Sequence, residues 1–143
     1  MSLRGFATIS YWADDVPAAV SWFAEFLGVE PYFSRPGPDG VQAYAEFRIG
    51  DSLDELGIID SQWRPPSAST EPGGAVMHWH VDDIEATVER LLSMGAKEYL
   101  PITPREEGFV TAAVVDPFGN VLGVMYNPHY LEMLASTKQA QET

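Results

Sequence analysis

The chain contains two similar segments separated by about half its length of 143 residues. Residues Tyr11–Val20 align with Trp79–Val88 at an offset of 68, and both segments carry an Asp-Asp pair at the same place. Further along, Leu56-Gly57-Ile58 aligns with Leu122-Gly123-Val124 at an offset of 66. Two matches in the same order, at nearly one offset, predict a duplicated structural module.

The first module has the pattern of a strand, a capped helix and three further strands. Asp15 is a typical N-cap residue, Pro17 falls in the first helical turn, and Gly28 is a typical helix end. Runs rich in β-branched and aromatic residues, separated by turn residues, predict the strands. We place these strands at Phe6–Ala13, Glu30–Ser34, Val41–Ile49 and Glu55–Ile59.

The second module repeats this order, with Asp83 as the helix cap and Gly95 as its end. Its strands are predicted at Val76–Val81, Lys97–Leu100, Phe109–Val115 and Val121–Tyr126. Each module alone would bury little apolar surface, so we expect an α+β fold in which two tandem βαβββ modules form a curled mixed sheet around a shared cavity.

These patterns also set the expected domain organisation. Residues 1–126 should form one domain, with module one at about 5–60, a Pro-, Ser- and Gly-rich linker at 61–74 and module two at about 75–126. Residues 127–143 should form a short helix, Tyr130–Leu134, and a frayed polar tail.

The composition excludes several classes of function. The net charge of −13 argues against nucleic-acid binding and against adsorption to anionic lipid; it serves mainly solubility, although a cationic ligand is compatible with it. The chain has no cysteine, which excludes disulfides, thiolate metal sites and a cysteine nucleophile. No secretory signal and no apolar run of about 20 residues is recognisable, so we expect a cytoplasmic protein.

The Asp-Asp helix openings and the turn Asp116-Pro117-Phe118-Gly119-Asn120 before the last strand resemble the vicinal-oxygen-chelate superfamily. This superfamily includes glyoxalases, bleomycin-resistance proteins and extradiol dioxygenases, and the resemblance extends from about Phe6 to Met125. It implies a sheet cradle that holds one divalent metal. The implied ligands are His or Glu, one from the first and one from the last strand of each module, and the metal acts as a Lewis acid.

The residues at the implied ligand positions do not match that metal set. They are Thr8, Gly57, Val76 and Gly123, which provide no imidazole or carboxylate. A shift of two residues would bring in Glu55, but one carboxylate does not make a four-ligand site. We therefore expect no metal and no cofactor, with a divalent metal as the alternative, and the two glycines would leave room for a ligand.

Alternation along the strands places further side chains on shared faces, and the resemblance to the superfamily implies that these faces line the cavity. His78 and His80 share one face, where they would bind a ligand, act as a base, bind a metal with converging carboxylates, or simply belong to the core. Glu46 is a candidate acid or base, or part of a solvated polar face. The aromatic residues would line the cavity or form plain core. The predicted ligand-binding residues are Thr8, Ser10, Trp12, Tyr44, Gly57, His78, His80, Phe109, Gly123 and Met125.

One motif that suggests a serine hydrolase is better explained as a turn. Gly50-Asp51-Ser52-Leu53 matches the nucleophile block of a lipase-like family, but His129 has no aspartate at the spacing that such a triad needs, and the block lies in a predicted turn.

The leading hypothesis is a homodimer that binds a small organic ligand without a metal, as bleomycin-resistance proteins do. The alternative is a lyase, isomerase or dioxygenase-type enzyme with a nonstandard site at His78, His80 and Glu46. A structural or partner-binding domain is the third.

Overall fold

A computed structural model describes residues 2–142 of the chain. The chain divides into two compact units, and the division falls between Thr70 and Glu71. Each unit contains one copy of the predicted module.

The first unit contains one helix and one four-stranded sheet within the described residues. The strand order in the sheet is β1-β4-β3-β2, with β1 parallel to β4 and the other pairs antiparallel. The elements are β1 (Thr8–Ala13), α1 (Val16–Leu27), β2 (Phe33–Pro36), β3 (Gln42–Ile49), β4 (Asp54–Asp60) and a short 3-10 helix (Ser61–Trp63).

The ends of α1 form as the sequence predicts. The Asp15 carboxylate accepts a hydrogen bond from the Ala18 N–H at 3.1 Å, which satisfies one of the free donors of the first turn. At the other end Gly28 has a φ of 73°, a left-handed conformation that glycine adopts without a steric penalty. The helix packs its apolar side on the sheet, where Phe23 and Phe47 are fully buried.

The second unit has the same topology, with strand order β5-β8-β7-β6 and a parallel β5–β8 pair. The Asp83 carboxylate caps its first helix by accepting from the Ala86 N–H at 3.0 Å. The elements are β5 (His78–His80), α2 (Ile84–Ser93), β6 (Lys97–Pro104), a 3-10 segment (Glu106–Gly108), β7 (Val110–Val115), β8 (Val121–Tyr126) and α3 (Pro128–Glu142).

The Asp-Pro-Phe-Gly-Asn turn between β7 and β8 has a structural role. The buried Asp116 carboxylate accepts from the Phe118 and Asn120 N–H groups, each at 2.9 Å, and from the Asn120 side-chain amide. Burial raises the pKa of Asp116, although these hydrogen bonds act in the opposite direction. The motif that suggested the family therefore holds a turn together.

The α+β class and the two tandem βαβββ modules are confirmed, as two open four-stranded sheets. Strand β8 has the predicted bounds. Strand β2 begins at Phe33 rather than Glu30, because Pro31 has no N–H for a ladder. Strand β5 is shorter than the predicted Val76–Val81, although the Val81 N–H still donates to the Met125 carbonyl at 2.9 Å.

Two elements of the second unit are longer than predicted. Strand β6 continues past Leu100 to Pro104, with shifts in register along its pairing with β7, and prolines are tolerated there because the strand is at the edge. Helix α3 covers Pro128–Glu142, whereas the sequence predicted only Tyr130–Leu134 and a frayed tail. No helix in the range 2–142 combines the length and the apolar character needed to span a bilayer.

Candidate functional site

The first sheet has one buried face and one face that is partly exposed. The buried face lies against α1, as the contact between Tyr11 and Phe23 shows, with ring centroids 5.8 Å apart. The other face carries polar and aromatic side chains that are exposed or partly exposed. We call it the open face of the first sheet; its residues are Thr8, Ser10, Trp12, Phe33, Arg35, Gln42, Tyr44, Glu46, Arg48, Glu55, Gly57 and Ile59.

Strand pairing arranges this face in rows. Ser10 on β1 pairs with Gly57 on β4, and Gly57 pairs with Glu46 on β3. Because directly paired residues point to the same side of a sheet, these side chains share the open face. Trp12 and Tyr44 lie one row further along, on either side of Ile59.

Glu46 is the centre of a hydrogen-bonded group on the open face. The Tyr44 hydroxyl donates to its Oε1 at 2.6 Å, and the Tyr32 hydroxyl donates to its Oε2. Tyr44 reaches Glu46 from two residues away on the same strand, whereas Tyr32 comes from the segment just before β2. That segment is held in place because the Tyr32 N–H donates to the Glu46 carbonyl at 3.0 Å.

The two phenols determine the protonation of this group. Their hydrogen bonds, from Tyr32 and Tyr44, lower the pKa of Glu46 below its ordinary value. The hydrogen bond to Glu46 raises the pKa of Tyr32 to about 12, and burial followed by the hydrogen bond to Glu46 raises the pKa of Tyr44. At neutral pH the group is therefore one carboxylate held by two neutral phenols.

Gly57 makes room for Tyr44. A Cβ at Gly57 would lie 3.2 Å from the Tyr44 hydroxyl and 3.4 Å from Ser10 Oγ. The space above this glycine is thus occupied by side chains of the protein itself. Because Gly57 has no side chain, the Tyr44 phenol can pack directly on β4 and still donate to Glu46.

Three arginines lie on or beside the open face. Arg35 pairs with Tyr44 across β2 and β3, and its guanidinium lies 5.5 Å from the centre of the Phe33 ring. The other two lie at opposite ends of the face. Arg48 forms a salt bridge with Glu55 at 3.4 Å, and its guanidinium lies 4.6 Å from the centre of the Tyr32 ring. Arg64, just after the 3-10 helix, places its guanidinium 5.6 Å from the centre of the Trp12 ring. Its Nε is buried and has no hydrogen-bond partner among residues 2–142.

The second sheet carries both strand histidines on one face, as predicted. We call it the histidine face; its residues are His78, His80, Thr111, Ala113, Gly123 and Met125. His78 pairs with Gly123, as Ser10 pairs with Gly57 in the first unit. A Cβ at Gly123 would lie 2.7 Å from the Met77 carbonyl oxygen and 2.8 Å from His78 Cδ2, so the strands approach too closely for any side chain there.

The two histidines have different surroundings. His80 Nδ1 accepts from the Asn127 N–H at 3.0 Å, which places the hydrogen of a neutral ring on Nε2, and Nε2 faces Asp82 Oδ1 at 3.3 Å. Its ring also stacks on Tyr130 of α3, with centroids 4.9 Å apart. His80 thus joins β5 to the start of α3. His78 is exposed, and neither of its ring nitrogens forms a hydrogen bond or ion pair within residues 2–142.

The remaining predicted residues of the second unit lie near α3. Phe109 precedes β7 and packs edge-on against His129, with centroids 5.3 Å apart. The Met125 sulfur lies 3.7 Å from the Asn127 side-chain nitrogen. Phe109 and Met125 therefore contact the first turn of α3 and the residue before it, which a strand pattern alone does not reveal.

Two residues of the candidate site were not predicted. Tyr32 was assigned to a strand without a role, because its contact with Glu46 depends on how β2 pairs with β3. Arg64 was assigned to the linker, although its stacking on Trp12 brings it to the open face. The only available signal was the scarcity of cations, since the chain has eight Lys and Arg residues in total.

A family model matches most of the chain. The model of the Glyoxalase/Bleomycin resistance protein/Dioxygenase superfamily matches residues 5–124. The chain belongs to this superfamily. No curated protein matched the chain in a sequence comparison.

Solved structures share the superfamily fold at low sequence identity. A glyoxalase-related enzyme from Fulvimarina pelagi has a TM-score of 0.68 and 20% identity, covering 88% of this chain and 90% of the other. Lactoylglutathione lyase from Agrobacterium tumefaciens has a TM-score of 0.65 and 18% identity, covering 90% and 97%. TioX from Micromonospora sp. ML1 has a TM-score of 0.62 and 17% identity, covering 85% and 98%. At these identities the likeness concerns the fold.

The positions expected to hold the superfamily's metal carry the wrong donors for it. Strand pairing places Ser10, not Thr8, beside Gly57, and His78, not Val76, beside Gly123. With this shift the set has one imidazole and one hydroxyl, which still does not match a His/Glu site. Within residues 2–142 no three His, Asp or Glu side chains come together as metal ligands. The residues do not fit the group.

Proposed function

We propose that this chain binds a small organic molecule bearing a positive charge, on the open face of the first sheet and without a metal ion. The observation that carries the proposal is the Glu46 carboxylate, which two tyrosines fix in one orientation. Within the described residues it forms no salt bridge, since Arg48 is paired with Glu55.

The donors around Glu46 support recognition of a cation. Phenols stabilise the carboxylate without neutralising it, so its negative charge is available to a ligand. A partly exposed carboxylate that is already oriented gives up little conformational freedom on binding.

The aromatic rings beside Glu46 suit an organic cation. Phe33 pairs with Glu46 across β2 and β3, and its ring lies 6.2 Å from the Tyr44 ring in an edge-on arrangement. Aromatic faces attract ammonium groups and also cover apolar substituents. The net charge of −13 adds a general attraction for cations.

Acid–base catalysis by the residues predicted for it has less support. A lowered pKa makes Glu46 a weaker base than an ordinary glutamate. His80 is hydrogen-bonded through Nδ1 and faces Asp82 through Nε2. Of the three candidates, only His78 has a side chain that forms no hydrogen bond or ion pair within residues 2–142.

The test is a titration of the purified full-length protein with benzylamine and n-hexylamine in the presence of EDTA, followed by NMR and calorimetry. Glu46→Gln should weaken binding about tenfold, because it removes a charged partner and keeps the shape. Glu25→Gln, which removes the same charge from α1 behind the sheet, should leave the affinity unchanged.

Three results would refute the proposal. They are no binding of either amine, equal losses in the two variants, or a stoichiometric transition metal in the purified protein that the amines need for binding.

A further inference from the structure

Three charged groups on or beside the open face form no salt bridge among residues 2–142: Glu46, Arg35 and Arg64. Of the described residues, Arg64 alone has a buried side-chain donor without an acceptor. It stacks over Trp12, and no salt bridge joins it to a carboxylate within residues 2–142. Its Nε is buried and makes no hydrogen bond there. A buried donor without an acceptor is destabilising, and a ligand oxygen that binds the guanidinium offsets part of that loss.

Strand geometry defines the separation between Glu46 and Trp12, the residue whose ring lies beside the Arg64 guanidinium. Trp12, whose ring contacts the Arg64 guanidinium, lies on β1. Glu46 lies on β3, with β4 between the two strands. Two strand spacings across the sheet and one two-residue step along it give about 12 Å between the Cα atoms of Trp12 and Glu46. The surface between the two charges consists of Ile59, Gly57 and the Tyr44 ring.

We infer that the ligand of this face is dipolar, with an ammonium group at Glu46, a carboxylate at Arg64 and an apolar or aromatic body between them. This rests on the proposed function, because the ammonium group uses the same Glu46. A guanidinium presents a planar set of donors that matches a carboxylate in two parallel hydrogen bonds. One guanidinium balances a singly charged carboxylate.

The spacing of Trp12 and Glu46 favours a dipolar compound longer than an α-amino acid. In an α-amino acid the ammonium and carboxylate groups are on one carbon atom, much closer together than Trp12 and Glu46. The face selects a longer molecule, with several bonds between its two charged ends.

The test compares two series of probes by NMR titration of the full chain. One series consists of ω-amino carboxylates with 2 to about 11 methylene groups, and the other of n-alkylamines of the same lengths. We expect the affinity of the amino carboxylates to reach a maximum at an intermediate length. There it should exceed that of the matching alkylamine about tenfold, as a charged hydrogen bond provides.

Variants at Arg64 test whether this residue causes the higher affinity of the amino carboxylates. Arg64→Met keeps an apolar stem over Trp12 and should abolish the advantage of the amino carboxylates while the alkylamines bind as before. Arg64→Lys should retain part of the advantage, because it keeps the charge and loses the planar fork. Arg35→Met tests the other ring-stacked cation of this face, which lies 5.5 Å from the centre of the Phe33 ring, and it should leave the advantage of the amino carboxylates in place. Loss of the advantage in Arg35→Met but not in Arg64→Met would assign the carboxylate to Arg35 and refute the inference.

The possible outcomes distinguish binding of a dipolar ligand from simple cation binding at Glu46. If both series bind equally at every length, or if Arg64→Met keeps the advantage, the dipolar ligand is refuted and cation binding stands. If neither series binds, the proposed function and the inference are both refuted. Thermal melting of the Arg64 variants shows that each is folded.

Discussion

The two modules place different chemistry on the same backbone row. In the first, the row is Ser10, Gly57 and Glu46, and its charged group lies on β3. In the second, the corresponding row is His78, Gly123 and Ala113, and its ionisable group lies on β5. The strand pairing has been kept between the copies, whereas the side chains that present polar groups have not. A binding residue in one module therefore does not predict a binding residue in the other.

The two glycines of these rows make the difference concrete. Above Gly57 are the mobile ends of side chains, the Tyr44 hydroxyl and Ser10 Oγ. Above Gly123 are a backbone carbonyl and the base of the His78 ring, both closer than 3.0 Å to the position that a methyl group would take. The same residue type serves a hydrogen-bonded group in one module and a close contact between strands in the other.

The largest expected effect comes from filling these two positions. Gly123→Ala should lower the free energy of unfolding by about 2–3 kcal/mol, because the methyl group meets the Met77 carbonyl, which cannot move alone. Gly57→Ala should cost less than about 1 kcal/mol, because the Tyr44 hydroxyl can shift. Urea denaturation of both variants measures the two values. Equal losses of unfolding free energy in the two variants would contradict the different contacts that the structure gives to the two glycines.

The histidines give the next effect. His80→Ala removes the acceptor of the Asn127 N–H and the stacking partner of Tyr130, and should cost about 2 kcal/mol of stability. His78→Ala should change stability by less than about 0.5 kcal/mol, since its ring is exposed. The two variants are matched controls for each other in thermal and urea unfolding. A larger loss in His78→Ala would contradict the structural role given to His80.

The sequence was sufficient for features that depend on local patterns. The Asp15 and Asp83 caps, Gly28 and the bounds of β8 follow from rules about neighbouring residues, and the internal repeat aligned Gly57 with Gly123 before any strand was paired. The shared face of His78 and His80 follows from strand alternation.

Features that depend on pairing between distant segments were beyond these rules. The partner of Gly57 is Ser10 rather than Thr8, because the β1–β4 register is set by contacts of the whole sheet. Tyr32 reaches Glu46 across 14 residues, and His80 meets Asn127 across 47. No periodicity in the chain encodes such separations, which explains why the sequence named Glu46 and Tyr44 as candidates but not Tyr32.

The smallest effect concerns pH and tests whether the phenols really tune Glu46. Because the folded-state pKa of Glu46 is lowered, the carboxylate stays charged as the pH falls past its ordinary value near 4.5, and its contribution to stability and to amine binding is lost only below that. Tyr44→Phe removes one donor, so the midpoint of amine binding should move to higher pH. Ser10→Ala, on the same row but without a hydrogen bond to Glu46, should leave the midpoint in place. Amine binding measured from pH 3 to 7 checks this, and a midpoint at or above 4.5 in the unmodified protein would show that the tyrosines hold Glu46 without changing its charge.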